Sequence, residues 1–182
     1  MTSGTPMSAE PERLSVSPTF IRVRGKRVLV VGNGDEAYAK ARLLRNTDAH
    51  IVACSDQPEA DYAAYLSTQP IEWLRADFHP AMVEGAALVF GATGDAAQDR
   101  AVVSAARAAH IPANAVDQPD YCDFLTPALV NRAPVAVAIG TEGAGPVLGQ
   151  MIRARIDMML SPSLGPLARL ATHYRQAADA MV

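Results

Sequence analysis

One short stretch, residues 28–37, narrows the possible folds more than any other. Four aliphatic residues, Val28, Leu29, Val30 and Val31, run into Gly32-Asn33-Gly34-Asp35-Glu36-Ala37. The apolar run suits a strand buried on both faces, and closely spaced glycines allow a tight turn with close backbone approach to a pyrophosphate. Ala37, in the third glycine position, is small enough for a helix to pack against the strand. Ala37, Ala41 and Leu44 then repeat at helical spacing, which predicts a helix whose free N-terminal N–H groups face the phosphates.

Such a turn gains meaning from the next acid, because a carboxylate for the ribose hydroxyls belongs about 20 residues further on, at the end of the second strand. Asp56 stands there, closing His50-Ile51-Val52-Ala53-Cys54-Ser55. An acid at this point repels a 2′-phosphate and so favours NAD over NADP. The alternation then continues. A helix carries Tyr62, Ala63 and Leu66, with its start capped by Asp56-Gln57-Pro58, and Ile71–Leu74 reads as a third strand. Asp77-Phe78-His79-Pro80 leads into a short helix. Ala87–Ala92 is a fourth buried strand ending at Thr93-Gly94-Asp95, Ala96–Ala109 a helix, and Ile111–Val116 a fifth strand ending at Asp117. Five strands alternating with helices predict a parallel, doubly wound sheet. The first helix is expected to run to about Arg45, with Asn46 as a left-handed cap.

After Pro119 the pattern changes. Phe124–Val130 and Pro134–Ile139 read as a hairpin about Asn131-Arg132-Ala133, followed by a glycine-rich loop over Gly140–Pro146. Pro146 starts a helix to about Leu160 with Val147, Met151, Ile152, Ile156 and Met159 on its apolar face, and Leu164–Met181 forms a last amphipathic helix. A hairpin and two helices are too small to bury themselves, so they are expected to pack on a second copy of the chain. The fold class is therefore α/β: a Rossmann-like parallel sheet, a small β-hairpin dimerisation region and a C-terminal helical region. The expected divisions are a flexible leader over 1–17, an NAD-binding domain over 18–119, a dimerisation hairpin and loop over 120–145, and a helical region over 146–182.

Composition excludes several function classes. A net charge of −3, with no run of basic residues, gives no reason to expect nucleic acid. The longest apolar stretches fall far short of the roughly 20 residues that span a bilayer, and no signal peptide opens the chain, so no membrane association and a cytoplasmic location are expected. Cys54 and Cys122 lack zinc-ligand spacing and read as buried thiols, the four histidines are scattered, and no preformed metal cage is evident.

The run R-G-K-R-V-L-V-V-G-N-G-D-E-A-Y-A-K-A-R-L-L, then G-A-T-G-D, then N-A-V-D-Q-P-D-Y-C-D-F-L-T-P-A-L-V-N-R-A-P-V-A-V-A-I-G-T-E-G-A-G-P-V-L resembles the precorrin-2 dehydrogenase / sirohydrochlorin ferrochelatase family, the siroheme synthase module, from about Phe20 to the C-terminus. The resemblance implies NAD-dependent oxidation of precorrin-2 to sirohydrochlorin. In bifunctional members ferrous iron is then inserted, as substrate, into that tetrapyrrole. It further implies a homodimer interlocked through the region after the sheet, and it maps the family's catalytic aspartate onto Asp117. Cofactor segments map onto Asp35 and Glu36, onto Asp56 and Gln57, and onto Thr93, beside Gly32, Asn33, Gly34 and Ala37 of the turn. Asn33 stands where the family has a middle glycine, Ala128 where it often has serine, and residues 140–145 replace a more serine-rich loop. If those hydroxyls orient the tetrapyrrole's carboxylates or metal, the chain retains dehydrogenation yet chelates poorly. A methyltransferase domain often follows in the family, so the chain is either a complete two-function protein or part of a longer one.

From the residues alone, Asp117 is placed at a strand end where it can take a proton as hydride leaves for the cofactor. An NAD-sensing module or a scaffold with the same sheet and no turnover is the alternative; it would need the phosphate turn and Asp56 but has no evident use for Asn114–Pro146.

Overall fold

The computed structural model describes residues 13–143 and 145–179. Its centre is strand β1 (Arg27–Val31), whose residues Val28–Val31 are shut off from solvent. β2 (His50–Cys54) pairs with it on one side and β4 (Ala86–Gly91) on the other, with β3 (Glu72–Leu74) and β5 (Ala113–Ala115) outermost, all parallel in the order β3-β2-β1-β4-β5. Because successive side chains point to opposite faces, Val28 and Val30 pack under α1 (Asp35–Leu44) and α2 (Ala60–Thr68). Leu29 and Val31 pack under α3 (Ala96–Ala108) and a 3-10 turn at Pro80–Val83. Each fully buried Val, Leu or Ile contributes about 1.5–3 kcal/mol. The β2-β1-β4 centre, buried on both faces, is the frame on which the loops are hung.

Several local expectations are corrected. α1 ends at Leu44 with Arg45 in the right-handed region, and Asn46 takes no left-handed conformation. Its side-chain amide donates instead to the carbonyl of Leu43 at 3.1 Å, which satisfies the helix end without a backbone reversal. α2 is capped by Glu59 rather than by Asp56-Gln57-Pro58; the Glu59 N–H donates to the Asn33 carbonyl at 2.8 Å and so pins the start of α2 to the glycine turn. β6 spans Ala128–Arg132, so Asn131 and Arg132 lie in the strand, and the hairpin turns at Ala133-Pro134, joined by a cis peptide, before β7 (Val135–Ile139). The segment before β6 is held by the parallel sheet: Phe124 meets Phe90 edge-on at 5.3 Å, and Asp123 bonds Arg107 and the Ala113 N–H.

The hairpin carries α4 (Pro146–Met159) and α5 (Leu164–Asp179). Arg132 donates to the carbonyls of Leu160 and Asp157 and pairs with the Asp157 carboxylate at 3.0 Å, while Arg169 donates to the Ala133 carbonyl at 2.7 Å. On the expected apolar face of α4, Ile152 and Ile156 are half-buried, whereas Val147, Met151 and Met159 are exposed. Met158, Leu167, Leu170 and Tyr174 are exposed as well. Of the expected flexible leader, residues 1–12 lie outside the described residues, as does Met181 of the last helix; Ser15 is held by the Glu142 carboxylate through its N–H and hydroxyl. Among the described residues no helix is long and apolar enough to cross a membrane.

Candidate functional site: a dinucleotide crevice at the sheet's carboxyl edge

The carboxyl ends of β1, β2, β4 and β5 bring the turn after Val31, Ser55-Asp56, Thr93-Gly94 and Asp117 to one edge of the sheet. At Gly32, with φ 150°, a Cβ would stand 1.9 Å from the Ala92 carbonyl oxygen and 3.1 Å from the Ala37 Cβ, so no side chain fits between β4 and α1. Gly34 is the residue before α1, with no side chain capping the helix, which leaves its first N–H groups facing outward. A cavity of about 220 Å³ opens there, lined by Gly34, Asp35, Glu36, Glu59, Ala92, Thr93 and Gly94. The Glu59 carboxylate stands beside the turn, 3.1 Å from where a Gly34 Cβ would be. It is exposed at the start of α2, so it can swing aside for an anion.

At the second strand end Asp56 Oδ1 accepts from Asn33 Nδ2 at 2.8 Å, and Asn33 Oδ1 accepts from the buried Ser55 hydroxyl at 2.6 Å. The Asn33 hydrogen bond holds the Asp56 carboxyl below its ordinary value, against burial, with nearby backbone N–H groups adding to the downward shift. Gln57 is exposed beside it. The arrangement is an ionised acceptor beside a glycine turn and a free helix N-terminus, which fits the ribose and pyrophosphate of a dinucleotide.

Thr93 turns inward. Its N–H and hydroxyl both donate to Asp99 Oδ1, at 2.9 and 2.8 Å, and Asp99 is buried beneath the loop on α3. Gly91 makes room for this acid, since a Cβ there would lie 3.1 Å from Asp99 Oδ1. Sequence reading missed Asp99; its signal is a lone carboxylate on the helix face shared with Val102, Val103 and Ala106.

Asp117 adopts φ 57° just past β5 and is exposed, and among the described residues its carboxylate accepts no hydrogen bond. Around it lie Glu36 and Lys40, both from α1. Burial raises the Glu36 carboxyl above its ordinary value, with the charges of Asp117 and Asp99 adding to the shift and the Gly94 N–H and Lys40 opposing it. Burial lowers the Lys40 ammonium, while Asp117, Cys122 and Glu36 favour its charged form. The ammonium sits 5.9 Å from the centre of the Phe90 ring. Lys40 was not singled out from sequence, although its place four residues after Glu36 on one helix face is the signal that could have found it. Cys122 is half-buried, bonded to Asn114 Nδ2 and to the Ala115 and Gln118 carbonyls. Cys54 is buried in β2, its thiol pushed up to about 11 by burial and then by the charges of Asp56 and Asp77.

Sheet order, glycine turn and strand-end acid define a dinucleotide-binding α/β protein of the Rossmann type. Residues 19–128 match a family model described as "Putative NAD(P)-binding", and the chain belongs to that family. It is 39% identical over 160 residues to the siroheme synthase of Methylobacillus flagellatus, across 88% of this chain and 34% of that protein. It is 33% identical over 163 residues to the siroheme synthase of Neisseria meningitidis serogroup C, across 90% of this chain and 34% of that protein. The chain thus spans about a third of the length of the curated relatives it matches. A solved structure named "SirC, precorrin-2 dehydrogenase" shares the fold with a TM-score of 0.74 at 21% identity, over 88% of this chain and 79% of that one.

Proposed function

We propose that this chain catalyses the NAD-dependent oxidation of precorrin-2 to sirohydrochlorin. The observation that carries this reading is that the glycine turn with Asp56 lies at the same sheet edge as Asp117, an exposed carboxylate that among the described residues accepts no hydrogen bond. The names of its relatives supply the substrate. Oxidation removes one hydride and one proton from the macrocycle, and the bound cofactor supplies the hydride acceptor. The proton goes to the Asp117 carboxylate, which among the described residues accepts no hydrogen bond. Lys40 holds a positive charge beside the developing site, and Asp56 selects the unphosphorylated ribose, so that NAD is preferred to NADP.

Two finer parts belong to the same proposal. The exposed apolar residues of α4 and α5 are covered by a second copy, giving a homodimer. Iron insertion into sirohydrochlorin is a second activity of the same crevice, with Asp117 accepting pyrrole protons and the macrocycle's own nitrogens holding the metal; Ala128, lacking a hydroxyl, makes it the weaker of the two.

Asp117→Ala tests the core of the reading. NAD affinity should stay within a few fold, while the rate of precorrin-2 oxidation, followed by sirohydrochlorin absorbance, should fall by roughly 10²-fold or more, the usual contribution of a positioned base. An unchanged rate would reduce Asp117 to a turn residue. Gly34→Asp should abolish NAD binding yet spare iron insertion into supplied sirohydrochlorin, since that step consumes no NAD.

A further inference from the structure

Asn33 occupies a turn position at which its backbone needs no special freedom: its φ is not positive, unlike that of Gly32. What its side chain adds is a relay. β1 and β2 are in register with Val31 beside Cys54, so the residues that follow each strand meet at the same level of the edge. There the Ser55 hydroxyl donates to Asn33 Oδ1 at 2.6 Å, and Asn33 Nδ2 donates to Asp56 Oδ1 at 2.8 Å. The chemistry fixes the direction. An ionised carboxylate only accepts, so the amide must turn its NH₂ toward Asp56, and its oxygen then faces the Ser55 hydroxyl, which donates to it. Ser55 is buried, and its carbonyl accepts from the Trp73 indole N–H at 2.9 Å, so the far end of the relay is anchored in the sheet.

We infer that Asn33 is a positioning residue for cofactor specificity: held by Ser55, it fixes Asp56 in the orientation that receives the two hydroxyls of an adenosine ribose and repels a 2′-phosphate. A glycine at position 33 would remove this bond and leave Asp56 to the weaker hold of nearby backbone N–H groups, freer to swing away from a phosphorylated ribose. With Oδ1 tied to the amide, Oδ2 is the oxygen presented to a ligand, and a charge-assisted bond of this kind is among the stronger restraints available to a partly exposed acid. The inference rests on the proposal that this crevice takes NAD through Asp56.

The test is titration of NAD and of NADP into the whole chain as wild type, Asn33→Gly, Ser55→Ala and Asp56→Ala, and into the Asn33→Gly/Asp56→Ala double variant. For Asn33→Gly the ratio of NAD to NADP affinity should fall by roughly tenfold, the scale of one charge-assisted hydrogen bond. Ser55→Ala, which leaves the turn untouched, should move the ratio the same way by a smaller factor, and it carries the test should Asn33→Gly not fold. In the Asp56→Ala background Asn33→Gly should leave the ratio unchanged, because Asn33 acts through Asp56. A ratio that holds within twofold in both folded single variants, or that shifts as much without Asp56 as with it, overturns the inference while leaving the cofactor reading intact. Wild-type protein that binds neither nucleotide, or prefers NADP, overturns the cofactor reading and the inference with it.

Discussion

Carboxylates at the crevice sort themselves by what they are bonded to. Asp99 holds Thr93, Asp95 caps α3 through the N–H groups of Ala97 and Gln98, and Asp123 ties Arg107 to Ala113. These acids are structural. Asp117 and Glu36 are the two acids that share the field of Lys40, which is where proton chemistry is expected. The titration of Glu36 reports that field. Its folded pKa is raised, so the ionised acid costs stability above that value, and the cost disappears as pH falls below the ordinary 4.5, where both states are protonated. Glu36→Gln should therefore stabilise the protein at neutral pH and not at acidic pH, as read by denaturant unfolding. Lys40→Met should move the Glu36 carboxyl higher still in a carbon-13 NMR titration; a downward move would mean that the ammonium does not act on it.

At the scale of elements, the loop after β4 is shaped by α3 as well as by the bonds between its own Thr93 and Asp95. Asp99 reaches up from the buried face of that helix to take both donors of Thr93, and Gly91 supplies the space. Removing the acid leaves the Thr93 N–H without its partner, at about 1–3 kcal/mol for an unsatisfied group, while the hydroxyl keeps the Asp95 carbonyl at 3.1 Å. Asp99→Ala should accordingly destabilise the chain by about 1–3 kcal/mol and speed amide exchange at Thr93 and Gly94, while exchange in the β1 core stays slow. Equal protection of the loop in both proteins would show that the turn holds itself. β6 obeys the same logic: anchoring of Asp123 and Phe124 to the parallel sheet delays the strand to Ala128 and moves its turn to Ala133-Pro134.

For the whole molecule the unresolved force is the apolar surface of α4 and α5. Met151, Met158, Met159, Leu167, Leu170 and Tyr174 are all exposed, too much apolar surface for a pair of helices to leave in water. Sedimentation at micromolar concentration should give a dimer, and Met151→Glu with Leu170→Glu should yield a monomer whose parallel sheet is still folded. A monomeric wild type, or a dimer indifferent to both substitutions, would remove these helices from the interface.

Patterns of short range were legible in the sequence. An aliphatic run flanked by glycines can serve only as a buried strand entering a tight turn, strand and helix periods alternate cleanly up to Asp117, and Asp56 follows at the spacing a ribose acid requires, so the doubly wound sheet and its cofactor edge follow from residues 27–117 alone. Tertiary structure decided the rest, because it depends on which side chains meet across elements distant in sequence. The Ser55–Asn33–Asp56 relay exists because two parallel strands end in register. Asp99 acts on Thr93 because α3 packs beneath β4, and Lys40 comes to matter because α1 lays it beside Phe90 within the field of Asp117. Hydrophobic periodicity says which face of a helix is buried; it does not say which buried acid or half-buried cation that face carries to another strand's end.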